Sequence, residues 1–384
     1  MNNFIKVLHV YRTYFPDPPG GLQEAIRQIC LNTKNFGVES RVFTLSPQPV
    51  PKEIIFEEAT VIRGKSVIAP ASCDISGISA LSQFREQVEW CDIVHFHYPW
   101  PFGDLLSMLV PSSKPKIMTY HSDIVRQKFL SFLYRPLMKF TLKRMDMVVV
   151  TSPNYAKTSS TIRHFVRSDK IRVVPLGISD KNTSQFAKIS SNILERLSLK
   201  PDDFVLSIGV IRYYKGLHSL IEATKQLPDV TFVIGGSGPE KNKLKNLANT
   251  LNVNNVIFTG QLTELEKHEL LRNCKLFTLV SHLRSEAFGM VLVEASIYSK
   301  PMITCEIGTG TTFVNLNNET GLTIPPEDPE KLAKAIRDIY FDEGKRLEFG
   351  KKARLRYEEL FSDKVLGKNY YRLYTDLLSN NIHK

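Results

Sequence analysis

The chain has 384 residues, 42% of them apolar, and a formal net charge of +11. That length and apolar share suit two ordinary globular domains and exclude a disordered tail, a collagen-like repeat and a small disulfide scaffold. Five cysteines (Cys30, Cys73, Cys91, Cys274, Cys305) lack metal-ligand spacing and read as reduced thiols of a cytosolic protein, and neither a signal peptide nor an apolar run of membrane-spanning length is expected.

Lys6–Tyr11 (KVLHVY) reads as a strand from its apolar content, the loop Phe15–Gly21 (FPDPPGG) ends on Gly20 and Gly21, and Leu22–Asn32 follows as a helix. A glycine pair opening a helix fits close approach of a phosphate and equally an ordinary turn. Further strands are predicted at Ser40–Leu45, Ile93–His97, Lys116–Tyr120, Met147–Thr151 and Ile171–Pro175. In Thr119–Asp123 (TYHSD), His121 stands at a strand's carboxyl end, where a ring is either structural or part of a site.

Charge is unevenly spread. Lys114–Arg172 holds thirteen Lys and Arg against Asp123, Asp146 and Asp169, so about a sixth of the chain carries ten of the eleven net charges. Within it, Arg126–Arg144 (RQKFLSFLYRPLMKFTLKR) spaces Phe129, Phe132, Leu133, Leu137 and Phe140 as one helical stripe and Lys128, Arg135, Lys139 and Lys143 as another. Pro136 is expected to bend or divide that helix. A basic amphipathic face suits an anionic membrane surface or a lipid-linked pyrophosphate, and equally plain solvation. No nucleic-acid motif accompanies the charge, so nucleic acid is not an expected partner.

The polar stretch Ser179–Asp203 is the expected domain boundary. Beyond it strands recur at Phe204–Ile208, Thr231–Ile234, Val256–Thr259, Leu276–Val280 and Met302–Thr304. Strands without a polar face, alternating with helices, predict two parallel sheets covered on both sides, with functional loops at the strands' carboxyl ends.

Three such loops carry candidate chemistry. In Phe204–Leu220 (FVLSIGVIRYYKGLHSL), Arg212 and Lys215 precede a helix opened by Gly216, and two fixed cations beside free amides suit a diphosphate. Val230–Glu240 (VTFVIGGSGPE) brings Gly235, Gly236 and Gly238 to a strand end. The stretch EAFGMVLVE sets Glu286 and Glu294 eight positions apart around Phe288, Gly289 and Met290. Phe288–Tyr298 reads as one buried helix, with Glu286 just ahead of it and Glu294 about two turns in. Open amides and the positive dipole end near Gly289 then form a phosphate site flanked by carboxylates for hydroxyls, the layout of a sugar nucleotide. The plainer alternative is a dipole-favoured acid plus a core Glu, although a buried mid-helix Glu needs a partner.

Together these motifs resemble the E-x7-E signature and glycine loops of retaining glycosyltransferases of the GT-B fold, glycosyltransferase family four, over nearly the whole chain. The resemblance implies an α/β protein of two Rossmann-like domains facing across a cleft. Residues 1–180 would be the acceptor-side domain, residues 181–362 the sugar-nucleotide domain, and residues 363–384 a helix (Asp363–Ser379) crossing back to the first. It implies that Glu294 holds the donor's ribose and Glu286 the transferred sugar. Arg212, Lys215 and amides near Gly289 and Met290 would hold the leaving diphosphate, and His121 would lie near the anomeric centre. Gly20, Gly21, Gly235, Gly236 and Gly238 would border the donor. Many relatives place an arginine directly after the first glycine, where this chain has Val210, so Arg212 departs from the pattern.

Neither a metal nor a cofactor beyond the nucleotide-sugar donor is implied, and no acidic D-x-D cluster is found. VYRTYFPDPPGG, YHSDIVRQ, IRYYKGL and IGTGTTFVN look most like bacterial mannosyltransferases that build O-antigen on undecaprenyl pyrophosphate. The expected reaction is transfer of mannose from GDP-mannose to an undecaprenyl-pyrophosphate-linked glycan acceptor. The enzyme would be peripheral on the cytoplasmic face of the inner membrane, with the anionic leaflet as a partner. A UDP-sugar donor serving exopolysaccharide or capsule, a sugar-nucleotide 2-epimerase of the same fold, and a catalytically dead binding module are the alternatives.

Overall fold

The computed structural model describes residues 4–17, 20–69, 74–124, 128–183 and 189–381, with backbone alone for 128–133, 380 and 381. Arg126 and Cys73 lie outside the described residues, as do the side chains of Lys128, Phe129, Phe132 and Leu133. The chain divides into two compact units, Met1–Gly177 with Asp363–Lys384, and Ile178–Ser362.

The first unit is built on a nine-stranded sheet: β1 (Ile5–Val10), β2 (Val38–Ser46), β3 (Glu53–Ile55), β4 (Thr60–Ile68), β5 (Ile75–Ser76), β6 (Ile93–Tyr98), β7 (Lys116–Tyr120), β8 (Met147–Val150) and β9 (Ile171–Val173). Its order is β3-β4-β2-β1-β6-β7-β8-β9, with β5 on β4. The pairings are parallel except where β3 and β5 meet β4, so the expected parallel sheet carries an antiparallel margin. That margin was not readable from the sequence. β3 and β5 are very short, and β4 carries Gly64, which weakens a strand signal, because a Cβ there would lie 2.8 Å from Ala80 Cβ on the covering helix Ile78–Trp90.

On the opposite face the helix Asp363–Asn381 places Leu366, Tyr370, Leu373, Tyr374 and Leu377 in one core with Val7, Ile93 and Ile117. It touches the helix Gly21–Lys34 so closely that a Cβ on Gly367 would stand 2.4 Å from the carbonyl oxygen of Asn32. The helix Lys128–Arg144 contains Pro136 without being divided by it; of the two expected effects, bend or division, the division does not occur. Its buried positions are Met138, Thr141 and Leu142, while Phe140 is 46% exposed beneath the Arg144 guanidinium. Of the predicted apolar stripe, the described Leu137 is half-buried and Phe140 is exposed on the basic side; the side chains of Phe129, Phe132 and Leu133 lie outside the described residues. Among the described residues no helix is long and apolar enough to cross a membrane.

The second unit holds a six-stranded sheet of order β12-β11-β10-β13-β14-β15. Its strands are β10 (Phe204–Ile208), β11 (Thr231–Gly235), β12 (Val256–Gly260), β13 (Leu276–Leu279), β14 (Met302–Cys305) and β15 (Gly321–Ile324). All pairings are parallel, so every carboxyl end emerges at one edge. The unpredicted β15 begins on Gly321, where a Cβ would stand 1.8 Å from Met302 O; close strand contact demands the residue that weakens a strand signal.

One glycine positions the site directly. Gly216 has a left-handed φ of 66°, and a Cβ there would fall 2.1 Å from the Val280 carbonyl oxygen, pressing the loop after β10 onto the one after β13. Gly216→Ala should destabilise the chain by about 3 kcal/mol or more, because strain and clash coincide. Gly21→Ala, in the first turn of its helix with nothing within 4 Å of the new Cβ, should be neutral or gain up to about 1 kcal/mol. Urea midpoints of the two variants should move in these unequal amounts, and equal losses would refute the packing argument.

Candidate active site

At the carboxyl edge of the second sheet the loops after β10 and β11 pack backbone against backbone. A Cβ on Gly236, with φ of 122°, would lie 2.1 Å from Gly209 O, and one on Gly238 would lie 2.3 Å from Ile211 O. Gly235 instead packs under Leu262 and Ile208. These glycines explain how the loops can be so close, and they bring the turn Tyr213–Lys215 to the edge.

Lys215 is only 9% exposed, yet its Nζ lies 2.5 Å from Glu286 Oε2. Ser281 Oγ donates to the same oxygen at 3.1 Å. Burial alone would depress the ammonium's pKa, but the Glu286 carboxylate together with Tyr214 offsets it, and the pKa is raised. Lys215 is thus a held cation. Two residues expected to act on different parts of a ligand, Glu286 on hydroxyls and Lys215 on phosphate, are one ion pair here. Arg212 is not drawn in: its side chain is exposed, and its charge acts against that of Lys215.

Glu286 precedes the helix Met290–Ile297, whose N-cap is Gly289 with φ of 83°. That left-handed residue excludes Phe288 and Gly289 from the helix, so the predicted start at Phe288 is corrected and Glu294 stands just over one turn in, not two. Phe288 is buried and meets Phe361 edge-on, so its ring faces the core; Met290 is half-buried at the helix start. Gly310 N donates to Ala287 O at 2.8 Å and Arg284 Nη1 to Gly308 O at 2.8 Å, tying the loop after β14 to the Glu286 segment.

Glu294 has the partner its surroundings require. Lys267 Nζ donates to Glu294 Oε1 at 2.9 Å and also lies 2.9 Å from Glu264 Oε2. Burial opposes the Lys267 charge, and Glu294 and then Glu264 overcome it, raising the pKa. Sequence reasoning missed this lysine. The available signal was the capping box of Thr263 and Glu266, which fixes the start of the helix Glu264–Asn273 and hence the face on which Lys267 lies.

In the first unit the strand registers set a row of histidines. His9 is opposite His95 across β1 and β6, His97 follows two positions on, and His121 ends β7. His9 Nδ1 and His97 Nε2 are 3.1 Å apart, as are His97 Nδ1 and His121 Nε2. A neutral imidazole carries one N–H, so His97 donates through one nitrogen and accepts through the other, and the three tautomers are linked. His95 is engaged by Thr119 Oγ1 at 2.7 Å and Tyr374 OH at 2.8 Å. Burial pushes His9 and His121 down to about 3 and His95 and His97 well below the usual value, so His121 is a neutral hydrogen-bonding ring. Next to it, Asp123 Oδ1 accepts from Tyr120 OH and Ser159 Oγ.

Gly20 caps the helix Gly21–Lys34, and neither it nor Gly21 is forced by backbone strain. Arg135, Lys139 and Lys143 are exposed on their helix; the Lys128 side chain lies outside the described residues.

Residues 191–356 match the family model Glycosyl transferases group 1, and residues 19–182 match Glycosyltransferase Family 4. An O-antigen chain mannosyltransferase C of Escherichia coli is 36% identical over 98% of this chain and 100% of its own. The D-rhamnosyltransferase WbpZ of Pseudomonas aeruginosa is 41% identical over 93% and 92%. Among solved structures, Anabaena HepE in complex with UDP superposes with a TM-score of 0.78 at 18% identity, covering 97% of this chain and 100% of that one.

The histidine row gives a pH dependence. An unfolded chain protonates each ring near pH 6.5, whereas folded His9 resists until about pH 3. Between those values the unfolded state binds more protons, so folding stability falls as pH falls, by about 1.4 kcal/mol per pH unit per ring. Burial raises Asp104 to about 8, which acts in the opposite sense. Because Asp104 is unchanged by a His9→Gln substitution, the comparison isolates one ring. Urea titrations at pH 6, 5 and 4 should show His9→Gln losing stability less steeply than wild type by about 1.4 kcal/mol per unit. Parallel curves would mean that His9 is not buried neutral.

Proposed function

The chain belongs to the GT-B glycosyltransferases of group 1 and family four, and on that premise we propose that it is a retaining enzyme moving mannose from GDP-mannose to a lipid-linked glycan acceptor in O-antigen assembly. The observation that carries this reading is the pair of carboxylates, each held by its own lysine, bracketing the start of the helix Met290–Ile297. Before donor binds, the Lys215 charge is balanced by Glu286. A sugar diphosphate offers both a new partner: phosphate oxygens for Lys215 and the helix amides, hydroxyls for Glu286. Glu294 takes the ribose hydroxyls, with Lys267 fixing its orientation.

As the bond between sugar and diphosphate breaks, negative charge grows on the leaving oxygen, so Lys215 stabilises the transition state more than the ground state. Lys215, Arg212 and the helix amides would supply the positive charge at the diphosphate. In the retaining course the acceptor hydroxyl attacks the face the diphosphate leaves, and its proton passes to the departing phosphate. The neutral ring of His121 suits a hydrogen bond to a sugar hydroxyl. A D-rhamnosyl donor is the second reading, favoured by the 41% identity to a D-rhamnosyltransferase; D-rhamnose is 6-deoxymannose, so the two differ only at C6.

Arg135, Lys139 and Lys143, exposed beside Phe140, support peripheral attachment to an anionic cytoplasmic leaflet carrying the acceptor. Each would add about 1 kcal/mol of attraction near such a surface.

Three measurements test the proposal. Lys215→Ala should lower kcat about 10²–10³-fold while changing KM less; a rise in KM alone would make Lys215 a ground-state anchor. Glu294→Gln should weaken GDP binding about ten- to hundredfold by calorimetry, and unchanged affinity would remove Glu294 from the ribose. Changing Arg135, Lys139 and Lys143 to Glu should abolish sedimentation with anionic vesicles and leave GDP affinity intact. Wild type that ignores such vesicles at low salt would leave the helix merely solvated.

A further inference from the structure

His282 is a polar side chain in the second unit that the sugar-nucleotide reading leaves unexplained. It follows β13, is 8% exposed, and neither of its ring nitrogens has a hydrogen-bond partner. An imidazole carries both a donor and an acceptor, and burying either unsatisfied costs about 1–3 kcal/mol. A native buried group left in that state marks an ion or a solvent molecule that completes it. Its backbone N–H donates to Tyr214 O at 3.0 Å, and Tyr213 and His218 meet its ring edge-on at 4.8 and 5.3 Å between centroids.

Two further ligand-type groups converge on it from separate segments. His218, in the first turn of the helix Leu217–Thr224, has its Nε2 3.8 Å from Glu327 Oε1. His282 Nε2 is 4.0 Å from the same oxygen. One ligand atom from each of the three lies within 4.8 Å of the other two. Glu327 sits between Pro326 and the N-cap Asp328 with a φ of 55°, a left-handed conformation that a non-glycine residue holds only against strain. A buried orphan ring and a strained carboxylate, independent of one another, therefore point at one spot.

We propose that His218, His282 and Glu327 form a binding site for a transition-metal ion of the zinc class. Two imidazoles and one carboxylate are the donor set of such an ion, with a fourth position left to water; magnesium would prefer oxygen donors throughout. Tetrahedral ligands at zinc distances are roughly 3.3 Å apart. The observed separations close to that value by small rotations of His218 and Glu327, whose side chains are 29% and 57% exposed and give the ion its entry path. The other trio of histidines within ligand distance of one another, His9, His95 and His97, does not compete, because both nitrogens of His95 are already bonded to Thr119 and Tyr374.

The ion acts as a staple. It joins the start of the helix Leu217–Thr224, the segment after β13 and the turn before the helix Pro329–Tyr340, and so braces the turn that carries Lys215 without touching it. The site is separate from the diphosphate chemistry proposed above and does not depend on it.

The test uses the untagged full chain stripped by chelator. Calorimetric titration with Zn²⁺ should show one strong site, Co²⁺ should give the visible spectrum of a four-coordinate nitrogen–oxygen centre, and saturating Zn²⁺ should raise Tm by roughly 5 °C where Mg²⁺ does not. Glu327→Gly relieves the left-handed strain at an exposed position, so it should fold at least as stably as stripped wild type while losing both the Tm shift and about tenfold or more in zinc affinity. His282→Gln should lose the cobalt spectrum. Wild type that takes up no zinc, or Glu327→Gly and His282→Gln that bind it as wild type does, would overturn the proposal.

Discussion

A lysine ammonium that is nine-tenths buried persists only if a carboxylate reaches it, and in this chain the carboxylate comes from 71 residues away. The Lys215–Glu286 pair is the constraint on which the second unit's edge depends. An unpaired charge in that position would cost several kcal/mol, so the two loops that supply the partners must meet. They meet because β10 and β13 are neighbours in the sheet and because Gly216 lets the first loop lie against the carbonyl of Val280. Such a pair is weak evidence for stability as such, since its desolvation offsets much of its attraction. Its value is that a charged group is held, dehydrated and ready, where a ligand charge can replace its partner.

The same logic recurs one turn along the helix that follows. Glu294 is held by Lys267, which is shared with Glu264, so the carboxylate has a fixed direction before any hydroxyl arrives. The first unit solves its own polar burial differently. There the neutral rings of His9, His97 and His121 hydrogen-bond to one another in a row, and the helix Asp363–Asn381 brings the hydroxyls of Tyr370 and Tyr374 to Thr119 and His95. The first unit holds a buried ion pair as well, Arg63 with Asp17 at 3.2 Å, away from the histidine row.

Much of the fold was readable because strands buried on both faces announce themselves as runs of Val, Ile, Leu and Phe, as in β8 and β11. The strands β3, β4, β5 and β15 were not, because β3 and β5 are too short and β4 and β15 carry glycines, Gly64 and Gly321, that packing demands. Glu286 ahead of a helix and Glu294 within it were visible from spacing alone. The helix start was not, because nothing local says that Gly289 adopts φ of 83°. The row of histidines was hidden for a different reason: it depends on which strands lie side by side, a property of topology that no local pattern encodes. Phe140 was misplaced because a helical stripe read from spacing has an uncertain phase, and here Met138 and Leu142 won the core.

The claim on which the rest turns is that a nucleoside diphosphate docks where these two ion pairs stand. A crystal structure of the full chain with GDP tests it most directly. A β-phosphate oxygen about 3 Å from Lys215 Nζ, with ribose hydroxyls on Glu294, is the expected result. A diphosphate seated elsewhere, with the Lys215–Glu286 and Lys267–Glu294 pairs both undisturbed, would contradict it.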